Sequence, residues 1–287
     1  MSAPIPRLAI MGVGLIGGSL ALALKEAGCV GEVVGCGRGK PNLEKALERG
    51  IIDRYERDPR LAAVGADLIF LATPVQTLAQ VVAEIAPVLK PGTILTDGGS
   101  VKAEVVRQIQ PLVPAGVDFV PGHPIAGTEK SGAEAAFADL YRGKRCILTP
   151  TATTSATALQ RVTEMWQAVG SEVVCMSVDK HDRVLAAISH LPHMVAYSLV
   201  NAVGSYDHYE ENILEYSAGG FRDFTRIASS DPMMWRDIAL TNQDALIEMM
   251  EQFETFFAEL KADVRSGQAD KLFEFFMTSK QMRDAIL

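Results

Sequence analysis

The glycine-rich run GVGLIGGS at residues 12–19 constrains the fold of this chain more than any other segment. It sets Gly12, Gly14 and Gly17 in the spacing G-x-G-x-x-G, after an apolar, strand-like run and at the start of a helix-like one. Such glycines permit a tight turn and the close approach of a pyrophosphate, and the helix start offers unpaired N–H groups to phosphates. In this context the motif predicts a dinucleotide-binding unit. A Gly-rich turn without a ligand is the alternative.

The first 177 residues alternate between strand-like and helix-like patterns. Strands are predicted at 7–12, 31–37, 66–74, 92–100, 117–124, 145–150 and 171–177, and helices at 15–28, 42–50, 76–90, 101–112 and 155–170. Such alternation predicts a mostly parallel sheet with helices on both faces. We therefore expect an α/β, Rossmann-type dinucleotide-binding domain over residues 1–177.

Strand patterns are not found after residue 177. Long helical patterns cover 180–205, with a kink or a fresh start at Pro192, then 235–267 and 269–287. An all-helical domain is expected over residues 178–287. Its wide apolar faces are typical of helices that bury part of their surface in a second subunit, or that pack only on each other.

Composition narrows the classes of partner. The net charge is −8 and no Lys/Arg tract occurs, which argues against nucleic acid and anionic membrane surfaces as partners. The four cysteines form no CxxC pair, so reduced thiols in the cytoplasm are expected rather than disulfides or structural zinc. The uncharged run 8–24 is short for a membrane span and is interrupted by glycines; a signal-peptide core is its alternative interpretation.

The end of the second predicted strand bears on the cofactor. An NAD site usually has Asp or Glu there for the ribose 2′-hydroxyl, but this chain has Gly37 followed by Arg38 and Lys40. A guanidinium can bind a 2′-phosphate in a bidentate way, so NADP is predicted, with NAD also accepted. Solvated loop charges are the alternative. The predicted cofactor contacts are Gly12, Gly14, Leu15, Ile16, Gly17, Arg38, Thr73, Pro74 and Ser100.

Three further segments follow predicted strands and should meet at the carboxyl edge of the sheet, where open α/β sheets bind ligands. Thr73 lies in the run ATP, and Ser100 lies in DGGSVK, where it is expected to cap a helix that begins at Val101. His123 opens the loop-like run HPIAGTEKSG. An imidazole there could take the proton of an alcohol while hydride leaves its carbon, or it could be a loop histidine without a role.

The helical half carries two more unusual runs. SHLPH at 189–193 has two histidines three residues apart, but no third ligand and no HExxH pattern, so no metal site is expected. The run 219–237 sets three arginines among glycines and aromatic residues, and Arg is well suited to bind carboxylates. Solvated charges for the arginines, and core packing for Trp235, are the alternatives.

Five of these motifs, in this order, resemble the prephenate/arogenate dehydrogenase family of tyrosine biosynthesis: GVGLIGGSL, DGGSVK, GHPIAGTEKSG, SHLPH and GGFRDFTRIASSDPMMWRDI. The resemblance runs from about residue 7 to 280, and its HPIAG and FRDFTR segments are the specific ones. It implies oxidative decarboxylation, in which hydride passes from C4 of a cyclohexadienyl ring to the nicotinamide and CO2 leaves from C1. It also implies that the helical domain, residues 178–287, binds substrate and forms a homodimer.

The resemblance implies roles for individual residues. His123 would be the base on the 4-hydroxyl, and Ser100 would hydrogen-bond His123 and the nicotinamide region. Residues expected to bind substrate are Arg226 on a carboxylate, His193 as a second contact, Glu129 lining or gating the pocket, and Trp235 near the site or the dimer interface. A stand-alone dehydrogenase core is expected, without a regulatory domain or a mutase extension. Prephenate and arogenate stay open as substrates.

Two other classes of protein compete with this interpretation. An NADP-dependent 3-hydroxyacid or phosphogluconate-type dehydrogenase would use a lysine base, but Lys180 and Lys261 lie in no matching motif. A non-catalytic NADP sensor would bind the nucleotide without turnover and would leave His123 and the arginine-rich run without a purpose.

Overall fold

A six-stranded parallel sheet carries the N-terminal motifs. The computed structural model describes residues 4–128, 130–206 and 213–286. The sheet has the order β3-β2-β1-β4-β5-β6, and its strands are β1 (Ile5–Met11), β2 (Val30–Cys36), β3 (Arg54–Glu56), β4 (Leu68–Leu71), β5 (Ile94–Asp97) and β6 (Asp118–Val120). The chain runs outward from β1 in one direction and then returns to β4 on its other side. This reversal of strand order is the place where such sheets bind nucleotides.

Apolar residues bury both faces of the central strands. Leu8 and Ile10 of β1 pack into one core, and the alternate residues Ala9 and Met11 pack into the other, all at most 1% exposed. Strands that are buried on both faces read as continuous apolar runs, which is why 7–12 and 66–74 were recognisable in the sequence.

A second, three-stranded sheet has the order β7-β8-β9 and consists of β7 (Gly122–Pro124), β8 (Arg145–Leu148) and β9 (Glu172–Cys175). The prediction of one strand over 117–124 is therefore wrong. Pro121 separates β6 from β7, and β7 pairs antiparallel with β8 instead of extending the large sheet. His123 consequently lies in a short strand opposite Ile147, not in a loop.

Helices connect the strands and predominate among the described residues after β9. They are α1 (Leu15–Glu26), α2 (Lys40–Glu48), α3 (Pro59–Ala63), α4 (Leu78–Ile85), α5 (Ala103–Ile109), α6 (Ala156–Ala168), α7 (Val178–Leu185), α8 (Leu191–Tyr206), α9 (Gly219–Thr225), α10 (Pro232–Thr241), α11 (Gln243–Ser266) and α12 (Ala269–Asp284). The parallel sheet with a helical C-terminal region confirms the predicted fold class. The short elements β3 and α3 were not predicted.

Two predicted helices are divided in the structure. The pattern over 180–205 forms α7 and α8, joined by a π-helical turn at Ala186–His190 just before Pro192. Such turns often mark functional sites, and this one carries a histidine. The pattern over 235–267 was predicted as one helix, but α10 ends at Thr241 and α11 begins at Gln243. The residue between them, Asn242, is buried and uses its side chain in the site described below.

The chain divides into two compact units, Met1–Asn242 and Gln243–Leu287. The second unit is a pair of helices, α11 and α12, with Gly267 at φ +65° in the turn between them. None of the helices in the described ranges is both long and apolar enough to cross a membrane. The expected domain boundary between residues 177 and 178 stays a prediction.

Candidate active site

The glycine motif forms a tight loop between β1 and α1. Gly12 has φ +103°, and a Cβ on it would lie 2.6 Å from the carbonyl oxygen of Ala72, so only glycine fits. A Cβ on Gly17 would overlap the Gly12 carbonyl oxygen, whereas nothing lies within 4 Å of a Cβ placed on Gly14. Helix α1 begins at Leu15 without a side-chain cap and without an acidic residue in its first turn. Space and unpaired N–H groups therefore coincide where a pyrophosphate would lie.

The predicted edge residues follow adjacent strands. Thr73 and Pro74 come after β4, Ser100 after β5 and His123 after β6, and these strands lie side by side beyond β1. The buried hydroxyl of Thr73 has no hydrogen-bond partner within the described residues. A buried polar atom without a partner is costly, so this hydroxyl fits a site that a polar ligand group completes. The residues present thus fit a dinucleotide.

Arg38 is exposed directly beyond the end of β2, and the Arg57 guanidinium donates to its carbonyl at 3.2 Å. The carboxylates near this strand end are those of Glu56, the last residue of β3, and Asp58, which follows it. Neither was predicted from the sequence. Burial, followed by the charges of Asp58 and Glu56, raises the pKa of the Cys36 thiol to about 11. Both carboxylates are paired with arginines of their own segment, Asp58 with Arg60 and Glu56 with Arg54.

A buried ion pair fixes the backbone beside His123. Lys102 and Asp97 are both fully buried, with the ammonium against the carboxylate. Lys102 Nζ also donates to the Gly122 carbonyl at 2.9 Å, and Asp97 Oδ1 accepts the Gly122 N–H at 3.0 Å. The ion pair therefore binds both the N–H and the carbonyl group of Gly122, the residue that precedes His123; we call this contact the clamp on Gly122. The available sequence signal was an Asp and a Lys five residues apart in the run DGGSVK, which begins at the last residue of the buried strand β5.

The buried His123 contacts a second histidine. Its Nδ1 lies 2.9 Å from Nε2 of His181, whose Nδ1 lies 2.7 Å from Oδ1 of Asp182. The Asp182 carboxylate also accepts the backbone N–H groups of Lys102 and Ala103, each at 2.8 Å. Neither His181 nor Asp182 was predicted as a site residue. A His-Asp pair on a helix was the signal, but only the tertiary structure brings it to His123.

The expected cap of α5 is corrected by this arrangement. The helix begins at Ala103 rather than Val101, and the Ser100 hydroxyl makes no hydrogen bond in the described part of the chain. Asp182 from α7 binds the unpaired N–H groups of the helix start instead. Ser100 is half-buried beyond β5. Its backbone lies close to the His190 ring and opposes, in part, the lowering of the pKa of His190 by burial.

The imidazoles of the site favour their neutral form. Burial, followed by the electrostatic effects of the neighbouring His181, Lys102 and His190, lowers the pKa of His123 well below 6.5. Burial also lowers the pKa of His181, although the hydrogen bond to Asp182 opposes it, and burial lowers the pKa of His190 to about 4. A buried histidine that is neutral at neutral pH can accept a proton.

The helical residues gather beside this network. His193 stacks on Trp235, with ring centroids 3.5 Å apart, and burial, then the charge of Arg226, lowers the pKa of His193. Trp235 is buried, which agrees with the packing interpretation, while its role in substrate binding stays a prediction. The Asn242 side-chain amide donates to the Asp182 carbonyl at 2.8 Å and lies 3.1 Å from Nδ1 of His190. Glu129 lies outside the described residues.

The chain matches two models of one protein family. Residues 20–175 match "Prephenate dehydrogenase, nucleotide-binding domain", and residues 177–278 match "Prephenate dehydrogenase, dimerization domain". Among curated relatives, the cyclohexadienyl dehydrogenase of Zymomonas mobilis is 39% identical and is covered over 96% of its length by 98% of this chain. The prephenate dehydrogenase of Bacillus subtilis is 36% identical, with 75% of its length and 96% of this chain covered.

Solved structures agree with the relatives. The prephenate dehydrogenase of Aquifex aeolicus, in complex with hydroxyphenyl propionate and NAD+, superposes with a TM-score of 0.94 at 37% identity over 100% of both chains. Arogenate dehydrogenase from Synechocystis gives a TM-score of 0.82 at 29% identity over 98% of this chain and all of that one. With its glycine loop and histidine network in place, the chain belongs to the prephenate dehydrogenase family of oxidoreductases.

Proposed function

We propose that this chain oxidises prephenate or arogenate with loss of CO2, using NADP in preference to NAD, in tyrosine biosynthesis. The observation that carries the proposal is the neutral, buried imidazole of His123 at the sheet edge that holds the glycine loop. Family membership and the names of the relatives support the same activity.

His123 performs the proton transfer of this reaction. The imidazole takes the proton of the 4-hydroxyl while the C4–H bond breaks and its electron pair leaves as hydride. When bound, the oxidised nicotinamide supplies the hydride acceptor. The electron pair of the C1–carboxylate bond then enters the ring, CO2 leaves, and the oxygen regains its proton as a phenol. Because the ring becomes aromatic, the protein needs to supply only position, a base and charge recognition.

Substrate recognition is assigned to the helical residues. Arg226 binds a carboxylate of the substrate, which fits its position beside His193. His193 holds the ring region, supported from behind by Trp235. Ser100 is assigned to the nicotinamide region, since the hydrogen bond to His123 that the resemblance implied is not formed among the described residues. The role expected for Glu129, lining or gating the pocket, concerns a residue outside the described ranges. The carboxylates of Glu56 and Asp58 are paired with Arg54 and Arg60, which leaves the Arg38 guanidinium for a 2′-phosphate.

The proposed assembly is a homodimer formed through the helical domain, residues 178–287. The second family model is that of a dimerization domain. Helices α11 and α12 expose aromatic side chains that a second subunit would cover: Phe253, Phe256, Phe257, Phe273 and Phe276. Light scattering should give twice the chain mass at micromolar concentration, and a monomer under those conditions would contradict the assignment.

A two-by-two assay tests the function. Turnover of prephenate and arogenate is measured with NADP and with NAD, following the reduced nicotinamide and the release of CO2. We expect turnover of at least one of the two substrates, with a higher kcat/KM for NADP. Turnover of a 3-hydroxyacid but of neither cyclohexadienyl compound would overturn the proposal. The candidate lysine base of that alternative, Lys180, is exposed on α7.

A further inference from the structure

Hydrogen bonds join His123 to His181, and His181 to Asp182. We propose that His181 and Asp182 are positioning residues that hold the proton of His123 on Nδ1 and leave Nε2 as the proton acceptor. The inference rests on the proposed function of His123 and adds two residues to it.

The protonation pattern starts at Asp182. Burial raises the pKa of this carboxyl, but hydrogen bonds from His181 and from the backbone of Ala103 and Lys102 together outweigh burial and lower it. Asp182 is thus an ionised carboxylate, which can only accept hydrogen bonds. The 2.7 Å contact with His181 Nδ1 therefore requires the proton of His181 to be on Nδ1.

The position of the proton on His181 in turn determines its position on His123. A neutral imidazole with its proton on Nδ1 has a lone pair on Nε2. The His181 Nε2 lone pair lies 2.9 Å from Nδ1 of His123, so Nδ1 of His123 must donate. With its proton on Nδ1, His123 keeps the Nε2 lone pair for the substrate hydroxyl. The opposite tautomer would set two lone pairs against each other inside the buried contact and would present N–H where a base is needed.

The intervening imidazole also sets the strength of the base. A carboxylate bonded directly to His123 would raise the pKa of that imidazole by charge attraction. With His181 in between, the Asp182 carboxylate still determines which nitrogen of His123 carries the proton. Its negative charge, however, is separated from His123 by the width of one imidazole ring. The ammonium of the neighbouring Lys102 acts in the other direction and favours neutral His123. The base thereby stays unprotonated at neutral pH.

His181 offers the cleaner test, because Asp182 also binds the start of α5. His181→Gln and His181→Phe form a matched pair, since the Gln amide oxygen can accept the Nδ1–H of His123 and the Phe ring cannot. We expect His181→Phe to lower kcat at least about tenfold, with KM for substrate within about twofold, and His181→Gln to stay within about threefold of wild type. The control Lys180→Ala changes the neighbouring, exposed residue of α7 and should match wild type in kcat and KM.

Nitrogen-15 NMR of the histidine rings tests the tautomer without substrate. The chain has only five histidines, so single variants can assign the signals. At pH 8 we expect His123 to show protonated Nδ1 and unprotonated Nε2, and His181→Phe to shift His123 toward a mixture. Protonated Nε2 in wild-type His123 would overturn the proposal even if the variants fail to fold, as would wild-type kcat in a folded His181→Phe. If wild type turns over neither substrate, the proposed function fails while the NMR result still decides the tautomer.

Discussion

The imidazole of His193 lies nearly flat on the indole of Trp235, with ring centroids 3.5 Å apart and planes 22° apart. The contact joins the start of α8 to α10. It also puts a buried aromatic residue behind a histidine that we assign to substrate binding. A substitution of Trp235 is therefore expected to change both the packing of these helices and the proposed contact of His193 with substrate.

Replacement of Trp235 should affect stability first. Trp235→Ala removes a large, buried side chain and should lower the free energy of unfolding by about 3–5 kcal/mol. Trp235→Phe keeps a stacking surface for His193 and should lose markedly less. Urea titration of the three proteins measures the difference. Equal stability of Trp235→Ala and wild type would show that the residue does not pack as described.

Loss of the base should affect turnover alone. His123→Asn removes the proton acceptor but leaves the glycine loop intact, so NADP affinity should stay near wild type while kcat falls at least about a hundredfold. Fluorescence titration gives the affinity, and steady-state assays give kcat. Near-normal kcat in this variant would exclude His123 as the base.

Loss of the proposed carboxylate partner should affect binding. Arg226→Ala should weaken substrate recognition by roughly 2–4 kcal/mol, seen as a higher KM. Arg226→Lys should restore little, because an ammonium lacks the two-pronged geometry of the guanidinium. Arg222→Ala, on the exposed side of α9, is the matched control and should keep a normal KM. An unchanged KM in Arg226→Ala would remove Arg226 from the site.

We predict that the end of β2 gives a preference for NADP over NAD. NADP should exceed NAD in kcat/KM by roughly 10- to 100-fold if one charge-assisted contact of ~1.5–3 kcal/mol decides it. A Cβ on Gly37 would lie 3.4 Å from Leu43, so Gly37→Asp fits without strain. Combined with Arg38→Leu, it should reverse the preference by adding a ribose acceptor and repelling the phosphate. Equal or better use of NAD by wild type would identify Arg38 as a solvated charge.

The buried histidines predict loss of stability in acid. Their pKa values are lowered in the folded state, so the unfolded chain binds more protons below pH 6.5 and unfolding becomes easier there. Stability should be full above about pH 6.5 and should fall with decreasing pH, by up to about 1.4 kcal/mol per pH unit for each such group. Denaturant midpoints between pH 8 and 5 measure this. His190→Gln should reduce the slope, and an unchanged slope would exclude His190 as a contributor.

Local patterns predicted the parts of the site that depend on local structure. Gly12, Gly14 and Gly17 lie where the spacing indicated, because strand, turn and helix are encoded within a few residues. The positions of Ser100 and His123 beyond β5 and β6 followed from strand order alone.

Contacts over long sequence distances were not predictable in this way. Asp182 caps a helix that begins 79 residues earlier, at Ala103, so no local capping signal identified it. The run 117–124 forms two strands, separated at Pro121, because β7 pairs with β8. The helical pattern over 235–267 is interrupted at Asn242, whose side chain donates a hydrogen bond to the Asp182 carbonyl. In each case tertiary contacts override the local periodicity.

The sealed pair of Lys102 and Asp97 limits how this protein can change over evolutionary time. A neutral residue at either position would leave the other residue as an unpaired, buried charge. This should lower the free energy of unfolding by about 3–5 kcal/mol, which is a large part of the stability of a typical domain. Replacing both at once with apolar residues of similar volume would avoid that penalty but would leave Gly122, and with it His123, without its clamp. We therefore expect a substitution at either position to impair both folding and the proposed positioning of His123, and libraries for directed evolution should keep Lys102 and Asp97 unchanged.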